Sequence, residues 1–497
     1  MERAAVYVVV FLSGALLMAL EIAAFRIIGK TFGSALRETT AVITVFLAAM
    51  SIGYWAGGRA GDRWPRPGTL VAALLGAAAL LLPVPWIDAF LSARIAASQL
   101  QLSAHAFLAT TLLFALPTVL FAAVSPIAVR LFATSTVTSG STAGSISAVS
   151  TTGSIAGSVI TAFLLIDLLG SIARTVTTIA LCACVTALVL MLAITPKRRS
   201  AIAIAGALAI GLPALAFIRS TQIEHSLLAP LPGWNVLFVG DSPYHRVTVR
   251  QQRDSVRILT FAIGAQSRML VHDPLGPGAA YTDAAHIARL MRPATRRILL
   301  IGLGGGTIAK QFVHYYPDTI VDVVDIDPMV VDVAKRYFGV QPSDRLRIHV
   351  MDGRIFLKRS TATWDLIIVD AYTSNRYGDT LPPHVATQEF FTEASQHLGD
   401  GGILHFHCAF TAGRLLPALQ KTMASVFRWV YVTDGEILAS NAALITTKET
   451  ALERARSSPA ARLPNLANYL AQLKPYSAAP ADVPLLTDDY APVDTLR

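Results

Sequence analysis

Charged side chains are scarce in this chain of 497 residues. They make up 15% of it, whereas a soluble globular protein carries roughly a quarter. Hydrophobic residues make up 53%, and the excess lies almost entirely before residue 220. The scarcity of charge excludes a chain that is soluble throughout. Its distribution divides the chain into a membrane half and a water-soluble half.

The chain has only three cysteines. Cys182 and Cys184 lie on different sides of one apolar helix, and Cys408 is the third cysteine. They provide neither a disulfide framework nor zinc-ligand spacing, so we expect no metal.

Extended basic stretches are also nearly absent. The net charge of +9 comes from basic residues that stand singly or in short loops such as residues 196–200. This pattern favours anionic lipid headgroups and argues against a nucleic-acid partner.

What the first 220 residues do contain is seven apolar runs, most of them long enough to cross a bilayer. The first run lacks a signal-peptide cleavage pattern, so we predict that it is retained. Residues 85–104 look amphipathic, and we expect them either to cross the membrane or to lie on its surface. The sequence therefore predicts a bundle of about seven transmembrane helices. The runs cover residues 4–28, 39–58, 68–90, 106–132, 142–168, 172–194 and 200–218.

The fifth run is rich in small residues. Gly144, Ala148, Gly153 and Gly157 would permit close approach between helix backbones. Helix packing is the simpler interpretation, and a groove that admits a lipid or another hydrophobic substrate is the alternative.

The character of the sequence changes near residue 235. Short β-like runs come first, and then apolar strands alternate with helices, which indicates a buried, doubly wound parallel sheet of the Rossmann-like α/β class. We divide the chain into a transmembrane helical domain (1–220), a small β-rich part (221–290), a Rossmann-like catalytic domain (291–450) and a C-terminal tail (451–497).

Glycines and acids follow the predicted strands at the points where the strands end. A glycine loop follows the first strand, where it lets the backbone approach a ligand closely. One acid follows each of the next three strands. Because the carboxyl ends of parallel strands share one edge of a sheet, we expect these residues to line one site. They are Gly302, Gly304, Gly306, Asp325, Asp352 and Asp370.

The same pattern distinguishes between nucleotides. Asp325 can accept two hydrogen bonds from ribose hydroxyls, and Asp352 can accept one from an adenine amino group. Thr307 stands where a dinucleotide fingerprint has its third glycine. The pattern therefore points to an S-adenosyl sulfonium donor. Asp327, before Pro328, is predicted to be a helix N-cap.

These residues resemble those of the spermidine synthases, the polyamine aminopropyltransferases. The motifs SPYHRVTV, GAQSR, GLGGGT, VVDIDPMVVDVAKRYF, VMDGRIFL and DLIIVDAY stand in that family's order between about residues 240 and 445. The whole chain is similar to the bacterial branch in which this domain is fused to membrane helices, through LEIAAFR, GYWAGGRAGDR and PLLTDDYAPVD.

The resemblance implies a class I AdoMet-binding domain and an aminopropyl transfer that releases methylthioadenosine. It implies that Asp325 binds the ribose of the donor and that Asp352 and Gly353 bind its adenine. It also implies that Gln266 and Tyr281 line the cleft for donor and acceptor. The expected donor is decarboxylated S-adenosylmethionine or S-adenosylmethionine, without a metal. The expected donor-binding residues are Gln266, Gly302, Gly304, Gly306, Asp325, Asp352, Gly353 and Asp370. The expected catalytic residues are Asp370, His384 and Tyr281, and the expected acceptor residues are Tyr244, Tyr372, Asp488 and Asp489.

The chain departs from the family pattern at two positions. Gly305 stands where soluble spermidine synthases have an Asp that binds the ammonium of the donor, and Thr373 stands where they have the acid assigned as the base. Both changes argue against spermidine synthesis from putrescine. His384 is either a base near neutral pH or a loop histidine bonded to backbone. The other replacement acids are Asp379, Asp488 and Asp489.

We therefore expect a membrane-bound aminopropyltransferase whose favoured acceptor is a lipid headgroup and whose other acceptor is a polyamine. An AdoMet-dependent methyltransferase with a membrane-associated substrate is the alternative. A transporter or sensor that only binds the nucleotide, and an NAD-dependent oxidoreductase, rank below them. The expected partners are the lipid bilayer, a small-molecule or lipid acceptor and a second copy of the chain.

The expected location is the bacterial inner membrane. Arg59, Arg63 and Arg66 in one loop, and residues 197–199 in another, would be cytoplasmic by the positive-inside rule. With seven spans that rule sends the soluble half outside. A nucleotide donor argues for a cytoplasmic catalytic domain, and we give the donor greater weight.

Overall fold

The computed structural model describes residues 2–496, apart from 33–35, 97–101, 134–138, 196–198, 221, 223–224, 226–231, 263, 277, 376–377, 444–446, 458 and 481. It forms two compact units. The first comprises residues 1–230 with Val239–Pro243 and Asn375–Tyr377, and the second comprises the remainder. Residues 196–198 of the basic loop and residues 97–101 of the amphipathic stretch lie outside the described residues.

The first unit is helical. Short π-helical turns at Thr111–Ala115 and Thr161–Leu165 connect two of its helix pairs. Its helices are α1 (Glu2–Phe32), α2 (Leu36–Arg63), α3 (Pro67–Leu81), α4 (Val84–Ala96), α5 (Leu102–Thr110), α6 (Leu116–Phe132), α7 (Ser139–Ile160), α8 (Ile166–Leu169), α9 (Ile172–Ile194) and α10 (Arg199–Ile218).

Five helices among the described residues are long and apolar enough to cross a membrane, so the expected seven spans are not confirmed. The third run is divided, because a turn at residues 82–83 separates α3 from α4 and Pro83 has no N–H to continue the helical ladder. The seventh run forms a shorter apolar helix, Ile204–Ile218. The five are Arg3–Gly29, Glu38–Arg63, Ala104–Phe132, Ser139–Leu165 and Ile172–Ile194.

Two of the small residues in α7 lie against α1. A Cβ added at Gly153 would lie 1.9 Å from the backbone oxygen of Phe11, and one at Gly157 would lie 2.1 Å from that of Ala15. Only glycine permits backbones to approach so closely. At these two positions the structure supports helix packing rather than a lipid groove. Gly144 has no atom within 4 Å of such a Cβ.

The first sheet along the chain has four strands in the order β1-β2-β3-β4. Its β2–β3 and β3–β4 pairs are antiparallel, and Val247, Val249 and Leu259 are fully buried beneath it. The strands are β1 (Trp234–Asp241), β2 (Arg246–Gln252), β3 (Val256–Phe261) and β4 (Gly264–Leu270).

An eight-stranded sheet follows, in the order β14-β12-β13-β11-β8-β5-β6-β7. The pairs from β7 to β11 are parallel, as expected, whereas β13 and β12 pair antiparallel at the far side. The expected all-parallel sheet is therefore a mixed one. The strands are β5 (Arg297–Ile301), β6 (Ile320–Asp325), β7 (Leu346–Val350), β8 (Trp364–Val369), β11 (Leu398–His407), β12 (Trp429–Thr433), β13 (Glu436–Ser440) and β14 (Lys474–Pro475), and β9 (Thr373–Asn375) pairs with β10 (Gly378–Thr380) separately.

The strand order reverses between β5 and β8. The chain proceeds from β5 outward to β6 and β7, and then returns to the other side of β5 with β8. Ligands of such sheets bind beyond the carboxyl ends of the strands at this switch point. The helices are α11 (Tyr281–Ala284), α12 (Ile287–Met291), α13 (Thr307–Tyr315), α14 (Pro328–Tyr337), α15 (Gly353–Arg359), α16 (Gln388–Gln396), α17 (Leu415–Ala424), α18 (Lys448–Ser457), α19 (Leu466–Gln472) and α20 (Val493–Leu496).

Candidate active site

The glycine loop connects β5 to α13 at the switch point. Gly302, Gly304 and Gly306 have positive φ angles of 99°, 51° and 71°. A Cβ at Gly302 would also lie 2.0 Å from the backbone oxygen of Asp370. Glycine is required at these positions, and the loop can therefore bring its backbone against a ligand at the N-terminus of α13.

Gly305 has no room for a larger side chain. Its Cβ would lie 2.9 Å from Cβ of Ser267 and 3.0 Å from Cδ1 of Phe338. The Gly305 N–H donates to Oγ of Ser267 (2.7 Å). An aspartate here would therefore displace Ser267 or Phe338, so the absence of the family's acid agrees with the packing around the loop.

Asp325 stands at the end of β6 and braces the loop. Its Oδ2 accepts from the Leu303 N–H (2.8 Å), and its Oδ1 accepts from the Asp327 N–H (2.9 Å). Burial raises the pKa of Asp325 to about 6, although these backbone donors oppose the rise. Each carboxylate oxygen has a further lone pair for a ribose hydroxyl. Asp327 caps α14 by accepting from the Met329 N–H, as predicted.

Asp352 and His384 form a pair. Asp352 caps α15 by accepting from the Ile355 N–H (2.9 Å), and its other oxygen lies 2.8 Å from Nε2 of His384. The hydrogen bond with His384 lowers the pKa of Asp352. His384 is thus bonded to a carboxylate rather than to backbone. The carboxylate partner of His384 is therefore Asp352, which was expected to bind the adenine, and not Asp370, which was expected to be catalytic.

Asp370 and Tyr281 lie together beside the glycine loop. The Tyr281 side chain lies close enough to Asp370 for the charge of that carboxylate to act on its hydroxyl. Both side chains line a pocket whose walls also include Gly302 and Leu303. Burial raises the pKa of Asp370, and burial together with the Asp370 charge raises the pKa of Tyr281.

A histidine–glutamate cluster adjoins this pocket, and the sequence analysis did not identify it. Glu436 accepts from His405 through Oε2 and from His407 through Oε1, both at 2.8 Å. The Tyr281 ring stacks on His407, with centroids 4.1 Å apart. A His-x-His pattern at the end of β11 could have indicated this cluster. Alternate residues of a strand share one face, so the two histidine side chains point to the same side of the sheet.

The other expected acceptor residues are more scattered. Tyr372 packs edge-on to His407 (centroids 5.8 Å apart) and donates from its hydroxyl to the backbone oxygen of that residue. Nε2 of Gln266 donates to Oδ1 of Asp379 (2.7 Å). Tyr244 is exposed, with its ring 6.4 Å from that of His245.

Asp488 binds a buried arginine. Arg354, at the start of α15, donates to both Glu393 and Asp488 at distances of 2.7–2.8 Å. The hydrogen bonds from Arg354 lower the pKa of Asp488 to about 2. Asp489 is exposed beside it. Asp488 thus attaches the C-terminal tail to the helix that follows Asp352. Among the described residues, no group of three or more His, Cys, Asp or Glu is arranged to hold a metal.

The second unit is similar to known transferases. Residues 279–434 match the spermine/spermidine synthase domain. Over 220 residues, 42% of this chain, the sequence is 30% identical to a polyamine aminopropyltransferase of Vibrio vulnificus and covers 72% of that protein. Further polyamine aminopropyltransferases are covered over 46% to 58% of their length, so this chain spans about half of most such relatives.

Two other similarities extend this comparison. An eEF1A lysine and N-terminal methyltransferase of Xenopus laevis is 30% identical over 142 residues, which are 27% of this chain and 20% of that protein. The crystal structure of a probable spermidine synthase from Corynebacterium glutamicum aligns with 52% of this chain and 100% of its own, at 19% identity and a TM-score of 0.38.

Proposed function

Since this chain belongs to the spermine/spermidine synthase family, the polyamine aminopropyltransferases, and is a transferase, we propose that it transfers the aminopropyl group of decarboxylated S-adenosylmethionine to an amine acceptor. The observation that carries this proposal is the Asp370–Tyr281 pair in the pocket beside the glycine loop. The pair lies at the switch point of the sheet, where a bound donor would present its reacting carbon.

The donor would be held by groups at successive strand ends. The loop backbone at Gly302–Gly306 approaches the nucleoside, Asp325 accepts from the ribose hydroxyls, and Asp352 with Gly353 faces the adenine. Gln266 and Tyr281 line the cleft where donor and acceptor meet. An in-line displacement follows, in which the amine attacks the carbon beside the sulfonium and methylthioadenosine leaves. The sulfonium departs without an acid, so the protein's task is to orient the amine and remove its proton.

The favoured acceptor is the amine of a membrane lipid headgroup, and a polyamine is the other. Five helices that are long and apolar enough to cross a membrane precede the catalytic fold, and a small soluble amine needs no such attachment. A lipid acceptor, in contrast, is concentrated at the bilayer surface. The replacement of the acid that the family uses as the base by Thr373 also fits an acceptor other than putrescine.

Methyl transfer from S-adenosylmethionine is the second candidate. Gly305, which has no room for an acid, removes a negative charge that would repel the carboxylate of intact S-adenosylmethionine. The similarity to the Xenopus methyltransferase is consistent with this alternative.

The two candidates release different nucleosides. The full chain in lipid nanodiscs would be incubated separately with decarboxylated S-adenosylmethionine and with S-adenosylmethionine, and the nucleoside identified by mass spectrometry. Aminopropyl transfer predicts methylthioadenosine from the first donor and a lipid that has gained one aminopropyl group. A product found only in the aqueous phase would contradict the lipid acceptor. S-adenosylhomocysteine from the second donor would establish the methyltransferase.

A further inference from the structure

Two adjacent strands, β8 and β11, end at the same level beside the pocket, and the antiparallel strand β13 begins there. In the β8–β11 register Val369 is level with Phe406, so Asp370 and His407 come next on neighbouring strands. In the β11–β13 register His407 is level with Glu436. The side chains at this edge therefore form a row from the pocket into the sheet: Asp370, His407 and Glu436.

Glu436 determines which nitrogen of His407 carries a proton. The Glu436 side chain is 1% exposed, and its two oxygens are used by Nδ1 of His407 and Nε2 of His405. A carboxylate bonded to Nδ1 holds the proton on that nitrogen and leaves a lone pair on Nε2. Nε2 of His407 makes no hydrogen bond with any part of the chain that the structure describes, and the His407 side chain keeps 14% of its exposure.

Charged and aromatic groups surround the His407 ring. Tyr281 from α11 stacks on it, and Tyr372, beyond the end of β8, meets it edge-on. Asp370 faces it from just beyond the end of β8, and Glu436 faces it from β13. Burial alone would lower the pKa of His407, but these two carboxylates outweigh burial and raise it. The ring is thus fixed in position and adjoins the two residues that line the pocket.

We propose that His407 is the general base that accepts the acceptor's proton, and that Glu436 is its positioning residue. This inference rests on the proposed aminopropyl transfer. It assigns to the His407–Glu436 pair the task that the family's second acid performs, because this chain has Thr373 at that position. His384 is a weaker candidate, because its carboxylate partner is Asp352, the expected adenine acid, whereas His407 adjoins Asp370 and Tyr281.

In the proposed transfer, the lone pair of the acceptor nitrogen forms the new N–C bond, and the C–S bond breaks with its electron pair remaining on sulfur. The positive charge of the sulfonium thereby passes to the acceptor nitrogen. That nitrogen loses one proton to Nε2 of His407, and the resulting imidazolium is paired with the Glu436 carboxylate. Neutral methylthioadenosine and the alkylated amine are the products.

The variant that tests the base is His407→Asn. The amide nitrogen of asparagine occupies nearly the position of Nδ1, so the bond to Glu436 is kept while the Nε2 lone pair is lost. We expect methylthioadenosine release to fall roughly 100-fold, whereas affinity for added methylthioadenosine stays within about twofold. His397→Asn is the matched control, because Nδ1 of His397 is also the bonded atom, to the backbone oxygen of Ala362 (2.9 Å). It should retain wild-type turnover.

A second variant, Glu436→Gln, tests the positioning role through pH. Turnover requires neutral His407, so the wild-type rate should rise with pH through the raised pKa of that histidine. Removing the Glu436 charge should move this rise to lower pH and reduce the plateau. If Glu436 had only a structural role, the Glu436→Gln variant would have a lower maximal rate, but its rate would rise over the same pH range as that of the wild type.

The full chain would be assayed in vesicles of phosphatidylethanolamine and phosphatidylglycerol, with and without putrescine, and with decarboxylated S-adenosylmethionine as donor. Wild-type turnover in His407→Asn, an unmoved pH profile in Glu436→Gln, or loss of methylthioadenosine affinity in His407→Asn would each overturn the inference and leave the proposed function standing. No methylthioadenosine from the wild type would overturn the proposed function and the inference with it.

Discussion

At the scale of single residues, the raised pKa of Asp325 predicts that the proposed nucleoside binding depends on pH. Both of its oxygens already accept from backbone N–H groups, and burial raises its pKa to about 6. The ionised form is the better acceptor for ribose hydroxyls. We therefore expect the affinity for methylthioadenosine to decrease as pH falls through about 6, measured by isothermal titration calorimetry between pH 5 and pH 8.

Substitution of the same carboxylate should weaken binding at every pH. Asp325→Asn removes a charged acceptor worth about 1.5–3 kcal/mol, so affinity should fall roughly 10- to 100-fold and lose its dependence on pH near 6. Asp327→Asn is the matched control, because asparagine caps a helix about as well as aspartate. If both variants lost the same affinity for methylthioadenosine, Asp325 would act only by stabilising the glycine loop.

The sequence was enough to predict that Asp325, Asp352 and Asp370 lie at one edge of the sheet, because each follows a predicted strand and the carboxyl ends of parallel strands share that edge. The partner of His407 could not be predicted in that way. Glu436 lies 29 residues further along the chain and reaches His407 through an antiparallel strand inserted into the sheet. The pair of His384 with Asp352 likewise depends on the path of a loop.

At the scale of elements, the contact between α1 and α7 depends on glycine. The Cβ of any other residue at position 153 would lie 1.9 Å from the backbone oxygen of Phe11. Gly153→Ala should therefore force the helices apart and destabilise the bundle by about 1–3 kcal/mol, measured as a lower melting temperature in detergent. Gly144→Ala, on the same helix with open space around it, should melt at or above the wild-type temperature. Identical melting of the two variants would contradict this packing.

The attachment of the C-terminal tail depends on Asp488. Its pKa is depressed to about 2, so its stabilising effect is present above the ordinary aspartate value of about 3.9 and is lost as pH falls toward 2. Because Asp488 is partly exposed, Asp488→Asn should weaken the attachment by only about 1 kcal/mol. Hydrogen exchange of residues 484–490 should then accelerate roughly fivefold at pH 7, whereas Asp489→Asn should exchange like the wild type. Equal exchange in both variants would exclude Arg354 as the anchor.

The number of membrane-spanning elements was harder to predict than the sheet. Composition identified all the apolar runs, but hydropathy does not locate a turn within a run. The turn at residues 82–83 reduces the third run to the 15-residue helix α3. The order of strands and helices in the soluble half, by contrast, follows from the alternation of apolar strands with amphipathic helices.

At the scale of the whole molecule, the side of the membrane that holds the catalytic fold depends on whether the number of spans is odd or even. The expected basic loop is only partly a loop, because Arg59 and Arg63 lie in the last turns of α2 and Arg66 follows the helix. Five spans, like seven, would place this basic end of α2 and the loop after it opposite the C-terminus. A cytoplasmic loop and a cytoplasmic catalytic fold together require an even number, which the insertion of Ile204–Ile218 would give. We expect a reporter fused at the C-terminus and a cysteine placed at residue 64 both to report the cytoplasm. A periplasmic C-terminus would contradict the proposed location.

The identity of the donor decides between the two proposed activities, and a competition assay determines it. The full chain in nanodiscs would receive equimolar decarboxylated S-adenosylmethionine and S-adenosylmethionine, and both released nucleosides would be quantified from the same reaction. We expect methylthioadenosine in large excess, together with an aminopropylated acceptor. An excess of S-adenosylhomocysteine with a methylated acceptor would contradict aminopropyl transfer.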